Sequence, residues 1–273
     1  MTQVSALAQL LAGRRICTLT GAGTSTASGI PDYRGPGTAA RARNPVRFAQ
    51  FVGDPGWRRR YWARSFSGWP ALRDARPNPA HAALARMEAA GLLTGLITQN
   101  VDRLHSKAGS VDPIELHGAL AEVTCLGCGA LSPREALQAR LSAANPGWSP
   151  PPAPELAPDG DAELDDTGGF QTVDCLACGG LLKPHVVFFG ENVPRPRVDR
   201  AFAALEAAEV LLVVGSSLTV FSGMRFVKRA RALGTPVGVL NLGPTRGDAE
   251  ATLCVDADAS TALPAVATLL GAG

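Results

Sequence analysis

The chain has 273 residues, 46% of them hydrophobic, enough to bury a full core as one large α/β domain or as a domain carrying a smaller insertion. Its 26 basic and 24 acidic residues leave a formal charge of +2, too balanced for nucleic acid or a membrane surface to be the main partner. The N-terminal stretch lacks a signal-type apolar core and no run reaches the roughly 18 apolar residues of a membrane span, so a cytoplasmic protein is expected.

The first β-rich run is RRICTLT, residues 14–20, and it ends in Gly21-Ala22-Gly23. That turn opens like the glycine-rich loop of a dinucleotide site. The third glycine of G-x-G-x-x-G is replaced by Thr26, however, and Pro31-Asp32-Tyr33-Arg34 arrives where a helix should be running. Residues 36–76, rich in Arg, Pro, Gly and aromatics, break the alternation of strands and helices and are predicted to be an insertion. Ten arginines lie between Arg34 and Arg76 against Asp54 and Asp74, which is either an anion-attracting region or a solvated helical face. Asn78-Pro79 is a good N-cap and N1 pair for a helix closed by Gly91.

A second strand is predicted over 92–99, with Gln99, Asn100 and Asp102 at its end. Amide and carboxylate groups there suit ribose hydroxyls and a carboxamide, or else cap a following helix. His117 lies between an apolar run and a glycine; its neutral pKa suits proton abstraction, although a lone histidine there is more often structural. His81, His105 and His185 are weaker candidates.

Residues 121–182 carry Cys125-x-x-Cys128 and Cys175-x-x-Cys178 around a Pro- and Asp-rich stretch, in which residues 155–166 hold six acids and no base. The spacing is that of two zinc knuckles, the alternative being two unconnected thiol pairs. A closed four-thiolate site leaves no coordination position for substrate, so the ion would be structural. The acidic stretch is predicted to be an exposed loop, and Cys17 and Cys254, in apolar strand-like runs, to be core. Helices over 198–209 and 221–234 alternate with strands over 210–217 and 235–242. The last two strands end in Gly215-Ser216-Ser217 and Asn241, either plain turns or contacts for a cofactor laid across the sheet edge. The fold predicted is a Rossmann-like doubly wound parallel sheet from 1–35, 77–120 and 183–273, with 36–76 and 121–182 forming a small helical and zinc-binding lobe.

The order G-A-G-x-S…G-I-P-D-Y-R, T-Q-N-V-D…L-H…A-G, E-L-H-G, two C-x-x-C pairs, V-V-F-F-G-E, G-S-S and a final N strongly resembles the sirtuins over nearly the whole chain. RYWAR, RPNPAH, LAPDGD, KPHVVFFGE and LNLGPTR look like the class II branch that includes mitochondrial sirtuin 4, here as a bacterial relative. The resemblance implies NAD-dependent removal of acyl groups from protein lysines, giving nicotinamide, free lysine and 2′-O-acyl-ADP-ribose. It assigns cofactor contacts to Gly21, Ala22, Gly23, Thr24, Pro31, Asp32, Tyr33, Arg34, Gln99, Asn100, Val101, Asp102, Gly215, Ser216, Ser217, Asn241, Leu242, Gly243 and Ala259. Asn100 and Asp102 would orient the nicotinamide half, and His117 would be the general base.

By the same resemblance Val187, Phe188, Phe189, Gly190 and Glu191 belong to a strand that pairs with acyl-lysine peptides by β-augmentation. Tyr61 and Arg64 have the Tyr-x-x-Arg spacing that binds an acyl carboxylate in desuccinylase-type members, whereas Thr26 stands where those enzymes carry a small alanine. Protein ADP-ribosylation or NAD glycohydrolysis at the same site is the alternative activity. Preferred acyl group, protein substrate and oligomeric state are left open.

Overall fold

The computed structural model describes residues 2–33, 45–149, 157, 160–162, 164 and 166–273. In chain order its elements are α1 (Gln3–Leu11), β1 (Ile16–Thr20), α2 (Phe48–Gly53), α3 (Pro55–Asp74), α4 (Pro79–Ala89), β2 (Leu93–Thr98), α5 (Leu104–Lys107), β3 (Ile114–Glu115) and β4 (Gly118–Cys125). There follow β5 (Leu131–Pro133), α6 (Arg134–Ala144), β6 (Leu182–Val186), α7 (Arg195–Glu206), β7 (Val210–Val214), α8 (Phe221–Leu233), β8 (Val237–Asn241), β9 (Leu253–Asp256) and α9 (Ala259–Leu269). They form two compact units, one from the described residues of Met1–Arg41, Arg76–Leu116 and Val193–Gly273, the other from those of Ala42–Ala75 and His117–Asn192. No helix among the described residues is long and apolar enough to cross a membrane.

The first unit is built on a parallel sheet of order β3-β2-β1-β7-β8-β9. β7 is buried along its whole length, and its side chains divide by the two-residue period of a strand. Val210, Leu212 and Val214 pack with Leu7 and Leu11 of α1, Leu84 and Met87 of α4 and Leu263 and Val266 of α9. Leu211 and Val213 pack on the opposite side with Leu205 of α7 and Phe226 and Val227 of α8. Helices therefore cover both faces, the arrangement of a doubly wound sheet. The chain passes from β1 to its neighbour β2 on one side and from β7 to β8 on the other, so the order reverses between β1 and β7. Ligands of such sheets bind outside the carboxyl ends of the strands at that point.

Asn78 caps α4 as its sequence predicts: its Oδ1 accepts the Ala80 N–H at 2.9 Å and Pro79 occupies the first helical position. Cys17 is fully buried, whereas Cys254 is exposed. The core expectation fails for Cys254 because β9 is the last strand of the sheet and the two-residue period turns Val255 inward in its place.

The second unit carries an antiparallel sheet of order β5-β4-β6. His117–Leu120 and Leu182–Val186 group here because β4 and β6 pair with each other. Its core is aromatic: Phe51 is fully buried and meets Tyr61 at 5.5 Å, Trp62 at 6.3 Å and Phe188 at 5.2 Å, each ring edge to face. Truncating such a phenylalanine to alanine costs about 3–5 kcal/mol.

The acidic stretch is not exposed throughout where it is described, although Asp166 is. Ala157, Asp161, Ala162 and Leu164 are buried. Gly68 of α3 has no side chain, and a Cβ there would overlap the Gly160 carbonyl oxygen, so the chain lies directly on the helix. Ala162 N–H donates to the Arg64 carbonyl at 3.0 Å and Arg64 Nε returns a bond to the Ala162 carbonyl at 2.9 Å.

Candidate active site

In the first unit the predicted polar residues gather at the carboxyl ends of β1, β2, β7 and β8. After β1 the chain does not enter a long helix but makes two single turns of 3₁₀ helix, Ala22–Thr24 and Thr26–Ser28, closed by Gly29 at φ +84°. These short turns take the place of the pyrophosphate-binding helix that G-x-G-x-x-G would start. The loop lies backbone to backbone on the turn after β7. Gly21 N–H donates to the Val214 carbonyl at 3.0 Å and Gly23 N–H to the Gly215 carbonyl at 2.8 Å. A Cβ on Gly21 would come within 2.8 Å of the Gly215 oxygen and of Ser216 Cβ, and Gly215 itself sits at φ +57°. The G-A-G sequence is thus required by loop packing before any cofactor is considered.

A partly buried hydrogen-bond chain joins this loop to the end of β2. Asn100 Nδ2 donates to the Gly21 carbonyl and to Ser25 Oγ, both at 3.0 Å, and Ser25 Oγ donates to Asp102 Oδ2 at 2.7 Å. Asp102 Oδ1 accepts the Leu104 N–H at 2.9 Å. Burial raises the Asp102 carboxyl above the usual range, opposed by the bonds from Leu104 and Ser25 and by the charge of Lys107. Gln99 Oε1 accepts the Ser216 hydroxyl at 2.7 Å, which ties the end of β2 to the turn after β7.

At the end of β8, Asn241 Nδ2 donates to the carbonyls of Leu242, at 3.0 Å, and Gly243, at 2.9 Å. Gly243 is at φ +80°, and its N–H is held by Asp256 Oδ1 at 2.9 Å. Leu242 is exposed; Ala259, by contrast, is buried at the first turn of α9. Ser217 is hydrogen-bonded to Thr219 at 3.2 Å, and Val101, Pro31, Asp32 and Tyr33 are all half-buried. Arg34 lies outside the described residues.

His117, half-buried, belongs to the second unit. Its carbonyl accepts the Val187 N–H at 2.8 Å, and the next residue, Gly118, has φ +82°. A Cβ at 118 would overlap the His185 carbonyl, so the turn that presents His117 requires glycine.

The five residues expected to form a strand with substrate do not continue β6, which ends at Val186. Glu191 N–H closes a turn onto the Phe188 carbonyl at 3.0 Å, Gly190 is at φ +93°, and Phe189 makes an isolated bridge to Arg47. A side-chain clasp holds that turn. Glu191 Oε2 accepts the Phe188 N–H at 2.7 Å and pairs with buried Lys183 Nζ at 3.0 Å. Burial lowers the lysine pKa and Glu191 opposes the shift. Phe188 is buried and Phe189 nearly half exposed. Tyr61 and Arg64 are both buried one helical turn apart on α3, Tyr61 against the rings of Phe51 and Phe188.

Cys125, Cys128, Cys175 and Cys178 converge, their four sulfurs all within 4.8 Å of one another. Cys125 and Cys178 are 3.5 Å apart and Cys128 and Cys175 are 3.9 Å apart. Zinc–sulfur bonds of 2.3 Å in a tetrahedron place sulfurs about 3.8 Å apart, so the set fits one zinc ion. The Gly127 and Gly180 amides point at Cys125 and Cys178, at 3.3 and 3.4 Å. The two C-x-x-C pairs are therefore one site, with all its coordination positions filled by protein.

The sequence model of the Sir2 family matches residues 21–222. The chain belongs to this family. An NAD-dependent protein deacetylase 1 of Mycobacterium avium is 51% identical over 265 residues, 96% of this chain and 93% of that one. An NAD-dependent protein deacetylase of Xanthomonas axonopodis is 54% identical over 252 residues, 92% and 86% of the two chains. Among solved structures, a Sir2 with p53 peptide and NAD+ superposes with a TM-score of 0.76 at 33% identity over 95% of each chain. A Sir2 bound to acetylated peptide gives 0.79 at 31% identity over the full length of both.

Within this Sir2 chain the structure adds Ser25 and Thr20, and gives His81 and His105, weaker candidates by sequence, their partners. Ser25 links Asn100 to Asp102, and its one outward signal was a hydroxyl following the G-A-G turn. Thr20 Oγ1 and buried His105 Nε2 are hydrogen-bonded at 2.9 Å, and the His105 and His81 rings meet at 4.8 Å, inclined at 57°. Burial lowers the His81 pKa to about 4; burial, then the neighbouring His81, lowers that of His105 to about 3. Both imidazoles are neutral at working pH.

Proposed function

We propose that this Sir2 protein removes acetyl groups from protein lysines using NAD, releasing nicotinamide and forming 2′-O-acetyl-ADP-ribose. The observation that carries the reading is the Asn100–Ser25–Asp102 chain, which joins the loop after β1 to the end of β2, next to the point where the strand order reverses. It fixes an amide and a carboxylate beside a loop already packed on Gly215. Support also comes from the bacterial relatives named as NAD-dependent deacetylases and from the related Sir2 structures holding peptide and NAD+. The KPHVVFFGE and LNLGPTR segments favour a place in the class II branch.

NAD supplies a ribose C1′ that accepts the acyl oxygen as nicotinamide leaves. Asn100 and Asp102 orient the nicotinamide half, and Gln99 holds the ribose. Gly215–Ser217 and Asn241–Gly243 receive the adenosine half with backbone amides and hydroxyls. His117 would take, at an imidazole nitrogen, the proton given up by a ribose hydroxyl as its oxygen attacks the acyl carbon, a contribution of about 10²–10⁴ in rate for a placed general base. The Val187–Glu191 turn presents backbone to the peptide, which gives affinity with little sequence selectivity. One zinc ion on the four cysteines holds the second unit together. The acyl group proposed is acetyl, as in the names of the bacterial relatives, and Arg64 Nε is engaged by a carbonyl of its own unit.

The test is mass spectrometry of products from NAD and acetyl-lysine peptide, with wild type and His117→Ala. Wild type gives 2′-O-acetyl-ADP-ribose in step with deacetylated peptide, and His117→Ala loses at least 100-fold of kcat while still binding NAD. NAD consumption without acetyl peptide, yielding ADP-ribosylated protein or ADP-ribose alone, overturns the reading.

A further inference from the structure

Asn78 does more than its helix requires. An N-cap needs one side-chain oxygen, and serine, aspartate or asparagine supplies it about equally well. Asn78 Oδ1 performs that task for Ala80 N–H, and the Asn78 N–H meets His81 Nδ1 at 3.3 Å. Its remaining group, the NH₂, turns away from the helix. Nδ2 donates to the Thr24 carbonyl at 2.8 Å and to Ser28 Oγ at 3.0 Å, spanning the loop after β1. Asn78 is 6% exposed and its bond to the Thr24 carbonyl is buried, while that to Ser28 is partly buried.

Besides the Asn100 amide and the backbone bonds of Gly21 and Gly23, three side chains hold the loop. Thr24 Oγ1 donates to the Val214 carbonyl at 3.1 Å, tying the loop to β7. Ser25 ties it to Asp102. The third grip is Asn78, which reaches the far end at Ser28, just before Ile30 is buried and the chain enters Pro31-Asp32-Tyr33. Aspartate or serine would cap α4 but would offer no NH₂ to Thr24 and Ser28. We propose that Asn78 is a positioning residue for NAD: its amide fixes the Thr24–Ser28 segment in the conformation that receives the cofactor. The proposal rests on the NAD-dependent reading above.

Two variants separate cap from grip. Asn78→Asp keeps the oxygen for Ala80 and places a second oxygen against the Thr24 carbonyl, and Asn78→Ser keeps a capping hydroxyl too short to span the loop. In each, KM is measured for NAD at saturating acetyl peptide and for peptide at saturating NAD, together with Tm and hydrogen exchange of the Gly29 and Ile30 amides. Two lost hydrogen bonds predict a rise of about tenfold or more in KM for NAD, a peptide KM within about twofold, and faster exchange at Gly29 and Ile30. If Asn78→Asp does not fold, Asn78→Ser decides. A lower Tm with an unchanged KM for NAD, in whichever variants fold, overturns the proposal and leaves Asn78 a cap alone. Absence of NAD-dependent deacetylation by wild type instead overturns the functional reading, and unchanged exchange at Gly29 and Ile30 then overturns the loop grip separately.

Discussion

Acidification from pH 7 to pH 5 is expected to destabilise the first unit through the buried, adjacent pair of His81 and His105. In the folded chain burial holds their pKa values at about 4 and about 3, against an ordinary value of 6.5. Since both folded values lie below the unfolded one, the unfolded state binds more protons throughout this window. The contribution is present above pH 6.5 and is lost as the pH falls toward 4. For one such histidine the loss between pH 7 and pH 5 is about 2 kcal/mol, so the pair accounts for about 4 kcal/mol, a large fraction of a stability of roughly 5–15 kcal/mol. Urea titrations at half-unit pH steps on wild type and His105→Gln would measure it. Glutamine reaches Thr20 with an amide where the imidazole Nε2 now sits, 2.9 Å away, but does not titrate. Its curve of unfolding free energy against pH should fall about 2 kcal/mol less between pH 7 and pH 5, whatever the absolute cost of the substitution. Parallel curves for the two proteins would refute a buried neutral histidine at 105.

Three further outcomes follow from the second unit. Gly118→Ala must move the chain away from the His185 carbonyl or leave φ +82°, and a loss of about 1–3 kcal/mol by thermal melting is expected, with a fall in kcat from the displacement of His117. Lys183→Met strands Glu191 beside the turn it closes; the expected loss is about 3 kcal/mol with a raised KM for acetyl peptide, and an unchanged peptide KM would show that the clasp does not shape the turn. Zinc removal by a chelator, or Cys128→Ser, should abolish the cooperative melt of the second unit and release one zinc per chain by colorimetric titration; two zincs, or none, would refute the single four-cysteine site.

The alternation of apolar strands with helical patterns was legible because burial of β7 and its neighbours on both faces demands continuous apolar runs. β3, with two residues, and β9, with four, are too short to show a period, and both lie at the sheet edges. The cysteine spacing was equally legible, since a C-x-x-C turn brings its two sulfurs together locally and four ligands complete a tetrahedron.

Other features depend on residues far apart in the chain. Gly21 reads as a cofactor glycine in the sequence, which gives no sign that its missing side chain also admits Gly215, a residue of the turn after β7. Arg64 has the spacing of an acyl-carboxylate ligand, and its sequence gives no sign that its Nε meets the carbonyl of Ala162. Asn78 announced a helix start and gave no sign of the loop its amide holds. Local chemistry determined the elements, the metal ligands and the polar residues at strand ends, because periodicity, capping and short spacings act within a few residues. Which backbone fills the space beside a glycine, and which donor meets which carbonyl, were decided only when packing brought segments 50 to 190 residues apart into contact.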